Sequence, residues 1–490
     1  MRDSATTVTV GNGLVMVAPW VDRLGPLLTL NRRVRETPDE EDANGNSYYK
    51  GRSGCTHVTE KLYQLEEVNG AVIGYAPEGL LSRITGWLSR NGIYHSVKDN
   101  RDPLPMPDFS RVDFDDLGTR KGQEEALEKV AVSRCGVVSA ATGYGKTFLI
   151  AQICKMYPDL RIVIATARKT VVMSIYERLM EDDWLKCQTG VICSSKDTGP
   201  DFRITVSTAA SLAKTSYEAT DLLLVDECHN FAAQTYSEKI ALFAGCRRFG
   251  FSASPSGRSD NADILSEAMF GPSIFDFSYE DAVDSGSVVP IEVHLYAVNH
   301  GDSSGYTNQA SVNRHGIWRN SSRNHLIARI ARQYPDDQVL IMCETLEHVM
   351  HIKRYLPEAK VAYASCSKER YEREYLSKGF TDDPYVDKAE VDRIRKGLES
   401  GEVKLIISTM IFREGVNFRN LRVLIRADGM SCEIPSTQIP GRLSRTQEGK
   451  DKGILVDFND LFDRRLRRRS RERLAVYRKK GWVIKNEQAL

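Results

Sequence analysis

The segment AATGYGKT, at residues 140–147, combines glycines with a lysine and a threonine in a pattern that suits phosphate binding. Gly143 and Gly145 allow backbone N–H groups to close around phosphate oxygens at the start of a helix. Lys146 brings a positive charge to the β- and γ-phosphates, and Thr147 offers its hydroxyl to Mg²⁺. An ordinary glycine-rich turn would explain the glycines but not the Gly-Lys-Thr ending. We therefore expect a bound nucleotide to contact Thr142, Gly143, Tyr144, Gly145, Lys146 and Thr147.

Two adjacent carboxylates follow an apolar run in DLLLVDECHN, residues 221–230. Asp226 at the end of a strand can hold Mg²⁺ through its water shell, and Glu227 can polarise the attacking water. An acidic pair after a strand would prove little by itself. Together with the loop at 140–147, the pair predicts nucleotide hydrolysis, with Thr147 and Asp226 as metal ligands and Glu227 as a catalytic residue.

A pair of arginines in QIPGRLSR, residues 438–445, could complete such a site. Arg442 and Arg445 are three residues apart and would share one helix face, which suits a γ-phosphate whose charge is redistributed during the reaction. Alone, such a pair would more often be a solvated helix face. Gln438 begins the same segment, and we group it with the two arginines as a catalytic residue.

Two further segments are candidates for nucleotide contacts. Arg120 and Gln123 precede the first apolar run, and a glutamine amide can read the adenine edge through both a donor and an acceptor. The alternative for these two residues is an ordinary surface helix start. The segment STMIFREGVNF, at 408–418, follows another apolar run and could couple the nucleotide to a track. We place its Gly415 with the nucleotide-binding residues.

Short apolar runs separated by helix-length stretches must hold these residues in position. Between residues 136 and 252 the runs are GVVSA, RIVIAT, GVICS, RITVS, DLLLVD and FGFSAS, and a later series is QVLIMC, KVAYA, KLIIS, LRVLIR and GILVDF. Runs this apolar predict parallel strands covered on both faces. We therefore expect two successive α/β domains, at residues 111–290 and 291–460, joined by a more polar segment from about 255 to 335.

The ends of the chain differ from this pattern. Residues 1–110 contain the charged stretch RETPDEEDANGNS and a predicted helix in GLLSRITGWLSRNGI, so we expect a small N-terminal α+β accessory domain that could bind DNA. Residues 461–490 are rich in arginine, and Phe462, Leu466, Leu474 and Tyr477 recur there at helical spacing. This spacing predicts a basic C-terminal helix whose apolar face docks on the second domain. Its cationic face either adds phosphate contacts or is simply solvated.

Composition limits the partners of the chain. The sequence has 67 Lys and Arg residues and 66 Asp and Glu residues, for a net charge of +1, so a nucleic-acid surface must come from local clustering. Its ten cysteines include no C-x-x-C pair, which favours reduced thiols over a zinc site. The N-terminus does not resemble a signal peptide, and no apolar run approaches about 18 residues. We expect a soluble, cytoplasmic protein without a membrane partner.

The order and spacing of AATGYGKT, DECH, SAS at 252–254, the REG loop and QIPGRLSR resemble those of superfamily 2 helicases. The resemblance covers about residues 115–460. It implies two tandem RecA-like parallel-sheet domains that hydrolyse ATP with Mg²⁺ in the cleft between them, with Glu227 as the base and an arginine finger in QIPGRLSR. The chain departs from the usual pattern at Ala140, Thr166 and Asn417.

The same resemblance implies a nucleic-acid track. Its track-facing segments correspond to the TARKT loop, the VSTAASL segment and the STM segment of this chain. Their hydroxyls, basic side chains and backbone N–H groups suit phosphates and carry no base code. We therefore expect sequence-independent binding through Thr166, Arg168, Lys169, Ser207, Thr208 and Thr409.

The chain has a small N-terminal domain with KLYQLEE and YAPEGLLSRITGWLSRNGI, then DNRDPLP, and then a motor that ends in a basic helix containing a tyrosine. This order resembles phage recombination helicases of the UvsW type and, more distantly, RecG and XPB. It implies an ATP-dependent DNA helicase or translocase that unwinds or remodels forks, Holliday junctions, D-loops and R-loops in replication, recombination or repair. The expected partner is branched or partly single-stranded DNA, with RNA in R-loops, in the cytoplasm of a bacterial host if the chain is phage-encoded. Three alternatives are an RNA helicase, a motor subunit of a restriction or defence system, and an ATP-bound clamp without turnover.

Overall fold

The chain is described by a computed structural model over residues 6–35, 40–41, 47–48, 55–114, 121–141, 143–232, 234–253, 263–303, 305–363, 366–412, 420–430, 440–447 and 449–487. It divides into two compact units. The first contains Met1–Ala140 and Gly145–Phe277, and the second contains Ala141–Tyr144 and Ser278–Leu490. None of the described helices is long and apolar enough to cross a membrane.

The N-terminal part of the first unit is a mixed sheet with two helices. Its strands are β1 (Thr6–Gly11), β2 (Leu14–Ala18), β3 (Thr29–Arg35), β4 (Glu40–Glu41), β5 (Ser47–Tyr48), β6 (Cys55–Lys61), β7 (Gln64–Val68), β8 (Ala71–Pro77) and β9 (His95–Asp99), and its helices are α1 (Leu24–Leu27) and α2 (Leu81–Arg90). Five strands form one sheet in the order β7-β8-β2-β1-β9. In this sheet only β1 and β9 run parallel. Helix α2 confirms the helix predicted in this region.

This N-terminal sheet shares its hydrophobic core with the strands that follow it. Val8, Leu80 and Ile84 are buried in one cluster with Leu223 and Phe270. Packing of this kind removes apolar surface from water on both sides of the junction. The N-terminal sheet is therefore packed into the core of the first unit rather than tethered to it.

The remainder of the first unit is a parallel sheet with helices between its strands. The strands are β10 (Cys135–Ala140), β11 (Ile162–Thr166), β12 (Thr189–Cys193), β13 (Lys196–Asp197), β14 (Ile204–Thr208), β15 (Leu222–Asp226), β16 (Arg247–Ser252) and β17 (Ser273–Phe277), and the helices are α3 (Gln123–Val132), α4 (Lys146–Met156), α5 (Lys169–Met180), α6 (Asp183–Lys186), α7 (Gln234–Ala241) and α8 (Asp263–Phe270). The described strands lie in the order β13-β12-β14-β11-β15-β16-β10-β17, and only β13 runs antiparallel to its neighbour. All six apolar runs predicted as strands in this part of the chain are strands.

The second unit contains another parallel sheet. Its strands are β18 (Ile291–Val298), β19 (Gln338–Met342), β20 (Lys360–Ala362), β21 (Leu405–Ser408), β22 (Leu421–Arg426), β23 (Gly453–Asp460) and β24 (Val483–Glu487), and its helices are α9 (Tyr279–Asp284), α10 (Gln309–Asn313), α11 (Ser321–Ala331), α12 (Leu346–Lys353), α13 (Lys368–Tyr371), α14 (Lys388–Ser400) and α15 (Arg464–Lys479). Within the described residues the order is β20-β21-β19-β22-β23-β18-β24, with every neighbouring pair parallel. The α/β fold with two tandem parallel-sheet domains is confirmed.

The sequence missed strands at the junction and at the C-terminus. The segment from 255 to 335, predicted as a polar connection, contributes β17 to the first sheet and β18 to the second, and the compact units divide at Phe277 instead of residue 290. Strand β18 reads IEVHLYAV, in which polar residues alternate with buried apolar ones, so it does not form a continuous apolar run. The segment predicted only as a C-terminal helix also contains β24, which pairs with β18.

Helix α15 begins where Asp463 accepts hydrogen bonds from the backbone N–H groups of Arg465 and Leu466. Leu466 and Tyr477 are buried, as is Leu474, so the predicted apolar face does pack on the second unit. Phe462 is partly buried against the same core.

A buried carboxylate fastens the N-terminal sheet to the first parallel sheet. Glu78 is 2% exposed and accepts a hydrogen bond from the backbone N–H of Gly13 at 2.9 Å. Its carboxylate lies 3.0 Å from Arg101 Nη1, 3.8 Å from Arg134 Nε and 3.9 Å from Arg248 Nη2. Because Arg248 belongs to β16, the Glu78 carboxylate joins elements of both sheets.

We predict that Glu78→Gln lowers the free energy of unfolding by about 3–5 kcal/mol, because it leaves buried guanidinium groups without their counter-charge. Urea unfolding followed by circular dichroism measures the loss. Glu67→Gln, on the exposed strand β7, serves as the control and should change stability by less than about 0.5 kcal/mol. A loss below about 1 kcal/mol in Glu78→Gln would contradict the structural role of this carboxylate.

Candidate nucleotide-hydrolysis site

The loop between β10 and α4 has the backbone that a phosphate-binding loop requires. Gly143 and Gly145 have φ values of +92° and +102°, which residues with a Cβ adopt only with strain. Gly145 is the N-cap of α4, so the first N–H groups of that helix open onto the loop. Lys146 Nζ donates to the carbonyl oxygen of Ala140 at 3.1 Å. Tyr144 is buried, and Thr142 lies outside the described residues.

The two predicted carboxylates lie at the carboxyl end of β15. Asp226 is 6% exposed and accepts a hydrogen bond from the backbone N–H of Glu227 at 3.0 Å. Burial and the adjacent Glu227 charge raise the pKa of Asp226 to about 7, while the Lys146 charge opposes the rise. The fold therefore brings Lys146 and Asp226 into one electrostatic site.

Glu227 is held in a strained conformation by its neighbours. Its φ is +50°, in the left-handed region that non-glycine residues rarely occupy. Its Oε2 lies 3.3 Å from Nδ1 of His229, and that same nitrogen lies 2.9 Å from Oγ of Ser252. His229 and Ser252 thus connect the ends of β15 and β16. Both residues lie within the motifs DECH and SAS, but the motifs alone predicted no role for either side chain.

The residues present fit a magnesium-bound nucleotide. A desolvated carboxylate such as Asp226 gains from a nearby cation, and Lys146 with the helix N-terminus offers positive charge to phosphates. Within the described residues, no group of three or more His, Cys, Asp or Glu side chains could hold a metal by itself. Mg²⁺ is commonly bound through one or two carboxylates together with substrate phosphates, which matches this arrangement.

The other nucleotide contacts predicted in the first unit are only partly described. Gln123 is the first residue of α3, and its side chain is 1% exposed. A helix does start here, but the Gln123 side chain is buried and does not lie at the surface as the alternative required. Arg120 lies outside the described residues.

Two of the four residues predicted to act from the second unit are described. Arg442 lies in a 3₁₀-helix, Pro440–Ser444, and Arg445 follows it. The side chain of Arg442 is mostly buried, with Nη1 donating to the carbonyl oxygen of Phe412 at 3.3 Å. Arg445 pairs with Val288 in an isolated antiparallel bridge, so the two arginines do not share one helix face as expected. Gln438 and Gly415 lie outside the described residues.

The predicted track contacts differ in exposure. Arg168 and Lys169 are exposed at the start of α5, immediately beyond the buried Thr166. Thr166 pairs in register with Thr208, and Thr208 Oγ1 donates to Ser211 Oγ at 3.1 Å. The strand ends therefore bring these segments to one edge of the sheet.

Two residues predicted to contact the track, Ser207 and Thr409, are buried and make hydrogen bonds within the fold. Ser207 is fully buried, and its hydroxyl donates to the carbonyl oxygen of Ile192 at 3.1 Å. Thr409 is 7% exposed and follows β21, and its backbone N–H donates to the carbonyl oxygen of Ala362 at 3.1 Å. The Ser207 hydroxyl stabilises the sheet in this conformation and does not face solvent.

Residues 116–257 match the family described as "Type III restriction enzyme, res subunit". The chain is 23% identical over 87% of its length to "Probable helicase D10" of Escherichia phage T5, of which it covers 91%. It is 24% identical over 69% of its length to "ATP-dependent DNA helicase uvsW" of Enterobacteria phage T4, of which it covers 68%.

The resemblance to superfamily 2 helicases is confirmed. A solved structure, the ATP-dependent Type ISP restriction-modification enzyme LlaBIII bound to DNA, aligns with a TM-score of 0.53 at 14% identity. The alignment covers 82% of this chain and 34% of that one. At this identity the likeness supports the fold alone. The family match and the two phage relatives support the prediction of an ATP-using enzyme of the helicase class.

We predict that Asp226→Asn stabilises the metal-free protein at alkaline pH. A carboxyl group whose pKa is higher in the folded than in the unfolded state becomes unfavourable for folding as pH rises from about 4 to about 7. The neutral amide removes that cost, so the melting temperature should rise by a few degrees at pH 8, at about 2–4 °C per kcal/mol, and the gap should shrink by more than half at pH 5.

Differential scanning fluorimetry in EDTA at both pH values measures this difference. Asp221→Asn, at the exposed start of the same strand, is the matched control and should give no gain that grows with pH. Equal or lower melting temperatures for Asp226→Asn than for the wild type at pH 8 would show that burial of this carboxylate carries no cost.

Proposed function

We propose that this chain is an ATP-dependent DNA helicase or translocase that unwinds or remodels branched DNA. The observation that carries the proposal is the grouping of Lys146 with Asp226 and Glu227 at the carboxyl edge of the first parallel sheet. Exposed Arg168 and Lys169 follow a neighbouring strand at the same edge. This arrangement supports nucleotide chemistry and phosphate binding at one edge of the first parallel sheet.

The proposed roles of the site residues follow from their chemistry. Mg²⁺·ATP, when bound, supplies the phosphoryl group that is cleaved. Lys146 and the loop N–H groups bind phosphate oxygens, while Thr147 and Asp226 hold the metal. Glu227 accepts a proton from the attacking water, and His229 keeps the Glu227 carboxylate in place.

Arginines of the second unit would stabilise the charge that develops in the reaction. Arg442 and Arg445 carry guanidinium groups that can pair with phosphate oxygens through two hydrogen bonds. In the present conformation Arg442 donates to its own unit, so a rearrangement of its side chain would accompany catalysis. Gln438 would act beside these arginines, and Gly415, Arg120 and Gln123 would contact the nucleotide.

The DNA would be bound mainly through its phosphates. Arg168 and Lys169 offer charge, and the segments around Thr166, Thr208 and Thr409 offer hydroxyl groups. Similarity to the phage protein named "ATP-dependent DNA helicase uvsW" supports DNA as the substrate. The choice of branched DNA rests on the resemblance of the sequence to UvsW-type recombination helicases.

We predict that Lys146→Ala lowers DNA-stimulated ATP hydrolysis by roughly 10²-fold or more, because phosphate charge is left uncompensated. Glu227→Gln should lower kcat by roughly 10²–10⁴-fold while keeping nucleotide affinity, because only the proton acceptor is lost. Phosphate-release assays and binding of a fluorescent ATP analogue measure the two effects.

The neighbouring exposed residues Lys129 and Glu128 provide matched controls, Lys129→Ala and Glu128→Gln, which should retain wild-type rates. Hydrolysis at the wild-type rate in Lys146→Ala or in Glu227→Gln would refute the role assigned to that residue.

We also predict that the enzyme unwinds forked and four-way DNA faster than a blunt duplex of the same length, by roughly tenfold or more. Gel assays with labelled strands, run with ATP and with a non-hydrolysable analogue, measure this preference. Equal rates on all three substrates would leave the helicase assignment intact and remove the assignment to branched DNA.

A restriction motor is the second candidate, favoured by the name of the matching family and by the fold of LlaBIII. In that case the chain would translocate on DNA while a partner cuts or methylates it. Recovery of a nuclease or methyltransferase subunit with the native protein would favour this candidate over the branched-DNA helicase.

A further inference from the structure

Helix α15 contains most of the excess positive charge of the molecule. Its sixteen residues include nine arginines and lysines and one glutamate, a net charge of +8. Since the whole chain has a net charge of +1, the remaining residues together carry −7. A chain that is otherwise acidic needs concentrated local charge to hold a polyanion.

The structure divides the arginines of α15 into an inner and an outer set. The inner set consists of Arg465, Arg469 and Arg473, spaced four residues apart. Arg473 is 1% exposed and pairs with Asp457, with Nε–Oδ2 and Nη2–Oδ1 distances of 2.8 and 2.9 Å. Arg465 donates to the carbonyl oxygen of Tyr306 at 2.7 Å, and Arg469 donates to Asn313 Oδ1 at 2.9 Å. This set fastens the helix to the second unit.

The outer set, which we name the outer arginine stripe, consists of Arg464, Arg467, Arg468, Arg471 and Arg478. All five side chains are exposed along one side of the helix. Only Arg468 has a carboxylate partner among the described residues, Glu472 at 3.4 Å. The stripe is therefore largely uncompensated.

The arginines of helix α14 in the same unit have a different environment. Arg393 lies 2.5 Å from Glu390, and Arg395 lies 3.7 Å from Asp392 and 3.4 Å from Glu399. Charges on α14 are thus interleaved with opposite charges, as on a solvated helix face. The outer arginine stripe lacks such interleaving, which argues against a merely solvated face.

The position of the stripe suits a linear polyanion. Helix α15 follows β23 directly, so it starts at the carboxyl edge of the second sheet, where Thr409 follows β21. Sixteen residues at 1.5 Å each give the helix a length of about 24 Å. The exposed residues of α15 include no aromatic side chain on which unpaired bases could stack.

We propose that the outer arginine stripe binds the phosphate backbone of duplex DNA, as a second contact surface beyond the motor segments. The inference rests on the proposed function in taking DNA as the track. It assigns to α15 the duplex arm of a branched substrate, bound without sequence specificity.

The test compares the full-length wild type with the triple variant Arg464→Gln, Arg467→Gln, Arg471→Gln. Fluorescence anisotropy with a labelled blunt duplex and with a single strand of the same length is recorded between about 50 and 200 mM salt, without nucleotide. The triple variant should weaken duplex binding about tenfold or more. The magnitude of the negative slope of log K against log[salt] should fall by about 2–3, which corresponds to about 0.9 for each lost phosphate contact. The melting temperature should be unchanged, because these side chains are exposed.

Two further variants make the comparison specific. A triple variant of α14 removes the same charge through Arg393→Gln, Arg395→Gln and Lys396→Gln. It should leave the duplex affinity and the slope of log K against log[salt] at wild-type values. Replacement of the three stripe arginines by lysine should restore most of the slope, because the charge is retained.

The possible failures are distinguishable. Wild-type protein that binds neither DNA would overturn the proposed function, and this inference with it. Wild-type binding with an unaltered triple variant, or with an equal loss in the α14 variant, would overturn the inference alone. Loss of single-strand affinity only, or of affinity for vesicles containing phosphatidylserine but not for duplex, would reassign the stripe to that ligand and overturn the proposal.

Discussion

Removal of the Asp226 carboxylate from water is the constraint on which the nucleotide site depends. A carboxylate that is 6% exposed and adjacent to a second carboxylate is stable in its charged form only when cations approach it. Lys146 supplies one such charge, and a metal bound to phosphates would supply another. The charged form of Asp226 is thus unfavourable by itself and becomes favourable when a magnesium nucleotide binds. Nucleotide binding therefore depends on the folded geometry of β10, the loop that follows it, and β15.

Arginine serves two purposes in the second unit. Three buried pairs, Arg323–Asp460, Arg426–Asp428 and Arg473–Asp457, fasten α11, β22 and α15 around the carboxyl edge of the sheet. Such pairs add little net energy compared with apolar packing, but breaking one leaves a charge buried without its partner. They therefore fix the position of the elements more than they raise stability. The outer arginines of α15 remain available because the inner arginines hold the helix in place.

Much of the fold was readable from the sequence because strands buried on both faces are continuous apolar runs. The strands that were missed break this rule: β18 alternates apolar with polar residues, and β24, VIKNE, is a short edge strand after a helix. The loop at 140–147 and the carboxylates at 226 and 227 were found because their chemistry depends on residue type and local context.

Contacts between distant segments were harder to predict. The His229–Ser252 hydrogen bond depends on β15 and β16 being neighbours, which strand order alone decides. Ser207 lies in the predicted segment, but its hydroxyl points to a carbonyl group of β12, and a motif does not specify a rotamer. Motifs located the segments that matter, whereas packing determined which side chains face solvent.

The rate of phosphate release from ATP by the wild-type protein, measured with Mg²⁺ at increasing concentrations of DNA, tests the central claim most directly. A DNA-driven motor with this site should show a low rate without DNA and a saturable rise of roughly tenfold or more with it. A rate that is independent of DNA, or no hydrolysis at any DNA concentration, would contradict the account.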